Sequence, residues 1–194
     1  WPAFRRGFDL YIARHDGQAV TTEAFVKAME DASGRDLGRF RRWYSQAGRP
    51  RVEAHGKYDA KTRTYALTLK QSCRALAGKA APKPFHIPVA TGLLSADGKE
   101  LATTCVLELT EAEQIFTFEN VASPPIPSLL RGFSAPVTVE AGLSNDELAV
   151  LMGADSDSFA RWDAAQTLGV RLVRQLAADR AAGRTMQMKE SFAR

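Results

Sequence analysis

The apolar residues of this chain change period twice, at Pro50 and again at Ser144, and few folds accommodate that. Before Pro50 they recur at helical spacing. Phe4, Phe8, Tyr11 and Ile12 form one stripe, and Asp16-Gly17 ends it because glycine readily takes the positive φ of a helix end. Thr21 or Thr22 caps a second helix whose stripe is Phe25, Val26, Met29 and Ala32, with Gly34 as its stop. Asp36 is placed to cap a third, with Leu37, Phe40, Trp43 and Tyr44 on one face and Gly48 and Pro50 closing it.

After Pro50 the pattern alternates. Val52 and Ala54, then Tyr65, Leu67 and Leu69, are separated by polar residues, the mark of half-buried strands, with residues 59–62 as the turn. Residues 74–84, with Gly78 and Pro82, read as a flexible loop. Further strands are expected at Phe85–Leu94, Thr103–Leu109, Ile115–Val121 and Val137–Val139, with Asp97-Gly98 as a tight turn. The proline-rich stretch Ser123–Pro127 reads as an edge or a loop. Six or seven short strands imply a β-sandwich. At Ser144 helical spacing returns. Ser144-Asn145-Asp146-Glu147 is a capping box, and Phe159, Trp162, Ala165, Leu168, Leu172, Val173 and Leu176 predict one apolar face of a long helix.

Charge and composition exclude several functions. The net charge is +4, and nine basic against six acidic side chains put most of it in the first fifty residues. Arg35, Arg39, Arg41, Arg42 and Arg49 carry the excess, which is weaker and less clustered than a nucleic-acid binder needs and reads as the solvated face of a helix. No apolar run approaches a membrane span. Two cysteines, Cys73 and Cys105, make no disulfide framework, no apolar leader is visible, and a reducing, cytoplasmic setting is expected. Both termini read as cut, which implies a piece of a longer protein.

Catalytic chemistry finds little footing. His15, His55 and His86 are too far apart for H-E-x-x-H, and neither cysteine has a ligand partner at metal spacing. Gly132-Phe133-Ser134-Ala135-Pro136 lacks the second glycine of a nucleophile elbow. Cys73 and Cys105 lie in strand-like contexts and are expected to be buried structural thiols. In Phe40-Arg41-Arg42-Trp43-Tyr44 the aromatic residues are expected to face a core and the two arginines water.

Several ordered motifs nevertheless resemble one family. Trp43-Tyr44-Ser45-Gln46-Ala47-Gly48-Arg49-Pro50 is similar to the W-x-x-Q-x-G-x-P segment that closes the catalytic domain of aminopeptidase N (alanyl aminopeptidase) zinc enzymes. Residues 11–17, residues 25–33, Phe133–Val137 and Phe159–Gln166 resemble the bacterial members in the same order. The resemblance implies an α+β multi-domain fragment. Residues 1–50 would be the helical end of a thermolysin-like catalytic domain, residues 51–142 an immunoglobulin-like β-sandwich, and residues 143–194 the start of an α-helical C-terminal domain.

For the parent it implies a metallo-aminopeptidase hydrolysing N-terminal residues from peptides, with zinc as cofactor. The family's zinc ligands, catalytic tyrosine and G-x-M-E-N amine anchor precede the matching region. Ala28-Met29-Glu30-Asp31 departs from the anchor pattern, with Lys27 for its glycine and Asp31 for its asparagine, so Glu30 is not assigned that role. The expectation is therefore no catalytic, cofactor-binding or metal residue in this chain, a spacer role, and self-association through apolar surface near Phe4, Phe8 and residues 159–176. The alternative is a free-standing β-sandwich that binds a protein partner.

Overall fold

The computed structural model describes residues 2–75, 77 and 80–185. Helices α1 (Pro2–His15) and α2 (Thr22–Ser33) lie against one another, with Gly7 seated on Met29 and Tyr11 meeting Phe25 edge-on at 5.2 Å. Gly17 and Gly34 end them at φ 70° and 67°, as glycine permits. Thr21 occupies the cap of α2 without donating or accepting a side-chain capping bond.

The third helix, α3 (Arg42–Ser45), is a single turn. The Asp36 carboxylate accepts from the Gly38 amide at 2.8 Å, a local turn that competes with helix capping, and residues 38–41 follow as turns. Gln46 is extended and ends the helix, so Gly48 is not a helix cap. At φ 112° Gly48 instead lets the backbone pass Cys73, where a Cβ would stand 2.8 Å from the sulfur.

The centre of the chain is a two-sheet sandwich. One sheet has the order β5 (Glu113–Phe118), β2 (Thr64–Ser72), β1 (Arg51–Asp59), β7 (Thr138–Glu140); the other has β4 (Glu100–Leu109), β3 (Ile87–Leu94), β6 (Ile126–Leu129). β1 and β2 pair antiparallel from Arg51–Ser72 to Asp59–Thr64 around the expected turn, and β7 runs parallel to β1. The proline-rich stretch leads into outer strand β6, where Pro127 faces Leu93 of β3. An edge position tolerates a residue with no amide hydrogen. Several strand limits shift: β4 begins at Glu100, and β5 ends at Phe118.

The alternating residues meet between the sheets. Val52, Leu67, Leu69, Phe85, Ile87, Val89, Leu93 and Leu109 are fully buried, and Phe85 lies 4.7 Å from the ring of Trp43. A second apolar cluster joins the sandwich to helices α4 (Asn145–Ala154) and α5 (Ser158–Ala181) through Leu94, Ile126, Leu148, Leu151, Ala164 and Leu168. The face of α5 agrees in part with the expected one: Leu168 is buried and Phe159, Ala165, Leu172 and Leu176 are half-buried. Ala160, Ala164 and Leu168 form its buried line, whereas Trp162 and Val173 are 56% and 66% exposed. Small alanines let the helix approach closely; Phe159 is half-buried against the sandwich core, and Trp162 and Val173 are left outside.

Candidate functional site

The W-x-x-Q motif works as a clamp. Trp43 donates its indole N–H to the His86 carbonyl at 2.9 Å, and Gln46 exchanges two hydrogen bonds with the backbone of Lys83, at 2.7 and 2.9 Å. Arg42 donates to the Pro84 carbonyl. One short helix thereby holds the incoming end of β3, so residues 83–84 of the expected flexible loop are pinned. Leu76, Gly78 and Lys79, in the same loop, lie outside the described residues.

The basic cluster does not simply face water. Arg41 forms a forked pair with Glu30 at 2.6 and 2.9 Å and reaches Glu23 at 2.7 Å, tying the α3 segment to α2. Arg39 donates to Glu111 at 2.6 Å and to the Thr110 carbonyl at 2.9 Å, and Arg35 pairs with Glu108 at 3.4 Å. Phe40 and Tyr44 are instead 37% and 49% exposed. The forked Arg41–Glu30 contact binds the carboxylate better than a lysine could. The Glu30 carboxylate accepts from the Leu37 amide as well as from Arg41. The carboxyl is pulled down to about 2 by the hydrogen bonds from Arg41 and then from the Leu37 amide.

At the other end of the sandwich lies a buried ionic centre that sequence patterns did not single out. Arg131 sits in a 3-10 turn (Arg131–Phe133) with its side chain 3% exposed. It donates to Ser128 at 2.9 Å, Thr104 at 2.8 Å and Glu100 at 2.6 Å, and its other terminal nitrogen stands 3.1 Å from the fully buried Asp155 carboxylate. Gly92 makes the slot, since a Cβ there would lie 2.1 Å from the guanidinium carbon. Burial pushes the Glu100 carboxyl up, but hydrogen bonds from Arg131 and Ser156 outweigh it and hold the group below its ordinary value. The only advance signal was an arginine inside the apolar run Leu129-Leu130-Arg131-Gly132-Phe133, and burial cannot be read from one residue.

Beside this centre a groove of about 880 Å³ opens between the sandwich and α5, lined by Leu130, Phe133, Val139, Phe159, Trp162 and Asp163 among others. Burial raises the Asp163 carboxyl above its usual range.

The three histidines stand apart in the structure. His15 ends α1, His55 lies on β1, and His86 precedes β3 with Glu108 at 3.6 Å. Among the described residues no three histidine, cysteine or acidic side chains converge on one point, so they do not fit a metal ion. The cysteines also differ from expectation. Cys105 is exposed on β4 and Cys73 is half-buried just after β2, because each falls where the strand faces outward or ends. No described helix is long and apolar enough to cross a membrane.

Residues 48–142 match a family model described as a domain of unknown function (DUF3458) with an Ig-like fold. Residues 145–194 match its companion, described as ARM repeats. Together with the two-sheet sandwich and the helices after it, these matches define the class: an α+β chain in which an immunoglobulin-like domain leads into an ARM-like helical region.

The relatives are aminopeptidases. The chain is 45% identical over 172 residues to aminopeptidase N of Escherichia coli, covering 85% of this chain and 20% of that protein. It is 45% identical over 182 residues to aminopeptidase N of Caulobacter vibrioides, covering 94% and 21%. The crystal structure of Legionella pneumophila aminopeptidase A, in complex with aspartic acid, superposes with a TM-score of 0.84 at 31% identity, covering 98% of this chain and 21% of that one. The chain is a homologue of one segment of the aminopeptidase N enzymes, and it spans about a fifth of the length of the relatives it matches.

Proposed function

We propose that this chain is a structural segment of a bacterial, zinc-dependent aminopeptidase N that removes N-terminal residues from peptides in the cytoplasm. Residues 1–50 finish its thermolysin-like catalytic domain, residues 51–142 are a spacer sandwich, and residues 143–194 begin its helical C-terminal domain. The observation that carries the reading is 42–45% identity to aminopeptidase N sequences along 85–94% of the chain. The clamp at Trp43 and Gln46 and the ionic centre at Arg131 support the spacer role, since both tie helices to the sandwich.

The segment neither binds zinc nor hydrolyses peptides alone. Its chemistry on this reading is to hold flanking domains in place. Two measurements test it. The coding sequence around the segment should continue in frame and carry H-E-x-x-H followed by a further glutamate upstream. The purified chain, assayed with alanyl p-nitroanilide and added zinc, should show no turnover and no stoichiometric zinc by elemental analysis. Turnover by the isolated chain would overturn its inactivity; a reading frame without the zinc motif would overturn the parentage.

A further inference from the structure

Helices α4 and α5 are held to the sandwich by two attachments of different physical character. The first is the apolar cluster of Leu94, Ile126, Leu148, Leu151, Ala164 and Leu168. Apolar contact is non-directional, so it fixes where the helices touch better than it fixes their angle. The second is ionic and strongly directional. The connection between α4 and α5 is only residues 155–157, and each of the three contacts the sandwich or its 3-10 turn, Ser156 and Asp157 through hydrogen bonds and Asp155 through an ion pair. Asp155 faces the Arg131 guanidinium at 3.1 Å, Ser156 donates to Glu100 at 2.9 Å, and Asp157 accepts from the Gly132 amide at 2.9 Å. Asp157 also caps α5 through the Ala160 amide, and Asp155 accepts from the Asp157 amide, both at 2.8 Å.

The turn that presents Arg131 is strained. Leu130 and Phe133 stand at φ 57° and 52°, in the left-handed region that side chains disfavour. Such a conformation persists only where surrounding contacts hold it. Beside this joint, the groove of about 880 Å³ between the sandwich and α5 is lined by Leu130 and Phe133 of the same turn and by Phe159 and Ala160 of α5.

We propose that Arg131, Glu100 and Asp155–Asp157 form a latch that sets the angle of the α4–α5 pair on the sandwich. With the latch made, the hydrogen bonds from Ser156 to Glu100 and from the Gly132 amide to Asp157, beside the Arg131–Asp155 ion pair, hold one angle. With it broken, the helices pivot on the Leu94–Leu168 contact and the groove beside α5 changes width. A buried ionic network of this kind adds little net stability compared with apolar filling, but it imposes geometry.

The test is a distance distribution between two spin labels in the full 194-residue chain. One label sits on the exposed Cys105 of β4 and the other on Val173→Cys in the exposed part of α5, with Cys73→Ser removing the other thiol. The unaltered latch gives one narrow distribution. R131M and D155N shift it to other distances and widen it while unfolding stays cooperative. S156A, which loses a single hydroxyl and keeps the fold, widens it less. If R131M fails to fold, D155N and S156A decide. A distribution unchanged in the variants that fold, with only a lowered Tm, overturns the latch and leaves an ordinary stabilising contact.

Discussion

Gln71 shows how one polar side chain can stand in for a strand. It lies on β2, 7% exposed, where the alternating pattern would place an apolar residue. Its amide nitrogen donates to the carbonyls of Phe85 and Glu111, each at 2.9 Å, and its oxygen accepts from the Phe85 amide at 2.7 Å. Phe85 belongs to no strand, so its backbone depends on this side chain. Gln71→Leu keeps the volume and leaves those backbone groups dry, and it should cost about 2–4 kcal/mol, seen as a lower urea midpoint with an unchanged m-value. The same logic applies to Gly92. Gly92→Ala drives a methyl group into the space of the Arg131 guanidinium, and displacing that buried cation from Asp155 should cost about 3 kcal/mol or more in the same measurement. Neither role was legible from the chain, because a lone glutamine or glycine inside a strand carries no periodic signal.

At the scale of elements, local chemistry decided much. The capping box at Ser144 is present, with the Glu147 amide donating to the serine hydroxyl at 3.2 Å and the Ser144 amide to the Glu147 carboxylate at 2.7 Å. Ser144→Ala should lower stability by about 1 kcal/mol, checked by thermal unfolding. The third helix went the other way. Of its expected stripe Phe40 and Tyr44 stay exposed, Asp36 found a nearer partner in Gly38, and Arg41 was drawn to Glu30. That pairing has a pH signature. The Glu30 carboxyl lies at about 2 in the folded chain against 4.5 ordinarily, so the stability it contributes is complete above 4.5 and fades as the pH falls toward 2. The stability difference between the native chain and E30Q should therefore be largest at neutral pH and vanish at strongly acid pH in denaturant titrations. An unchanged difference across that range would show that the pair does not couple to folding.

At the scale of the molecule, exposed apolar side chains collect in two places. Phe8 and Ile12 on α1 are 40% and 41% exposed, and Trp162, Val170 and Val173 on α5 are about half or more exposed. Faces of this kind associate in water. Sedimentation velocity should show concentration-dependent association of the chain, and W162S/V173S should weaken it. Strictly monomeric behaviour of the unaltered chain at high concentration would refute this.

By itself the sequence determined the order of helices and strands, the turns at residues 59–62 and at Asp97-Gly98, and the cap at Ser144. These depend on side-chain period and on bonds between near neighbours, both written along the chain. Its ordered motifs also pointed to the aminopeptidases. Only the tertiary structure decided that β7 joins β1 in parallel, that α5 buries Ala160, Ala164 and Leu168 instead of Trp162, and that Arg131 meets Glu100 and Asp155. Each of those joins residues far apart in sequence. Their partners are set by how whole elements pack and by which polar groups that packing removes from water, and no local pattern encodes this.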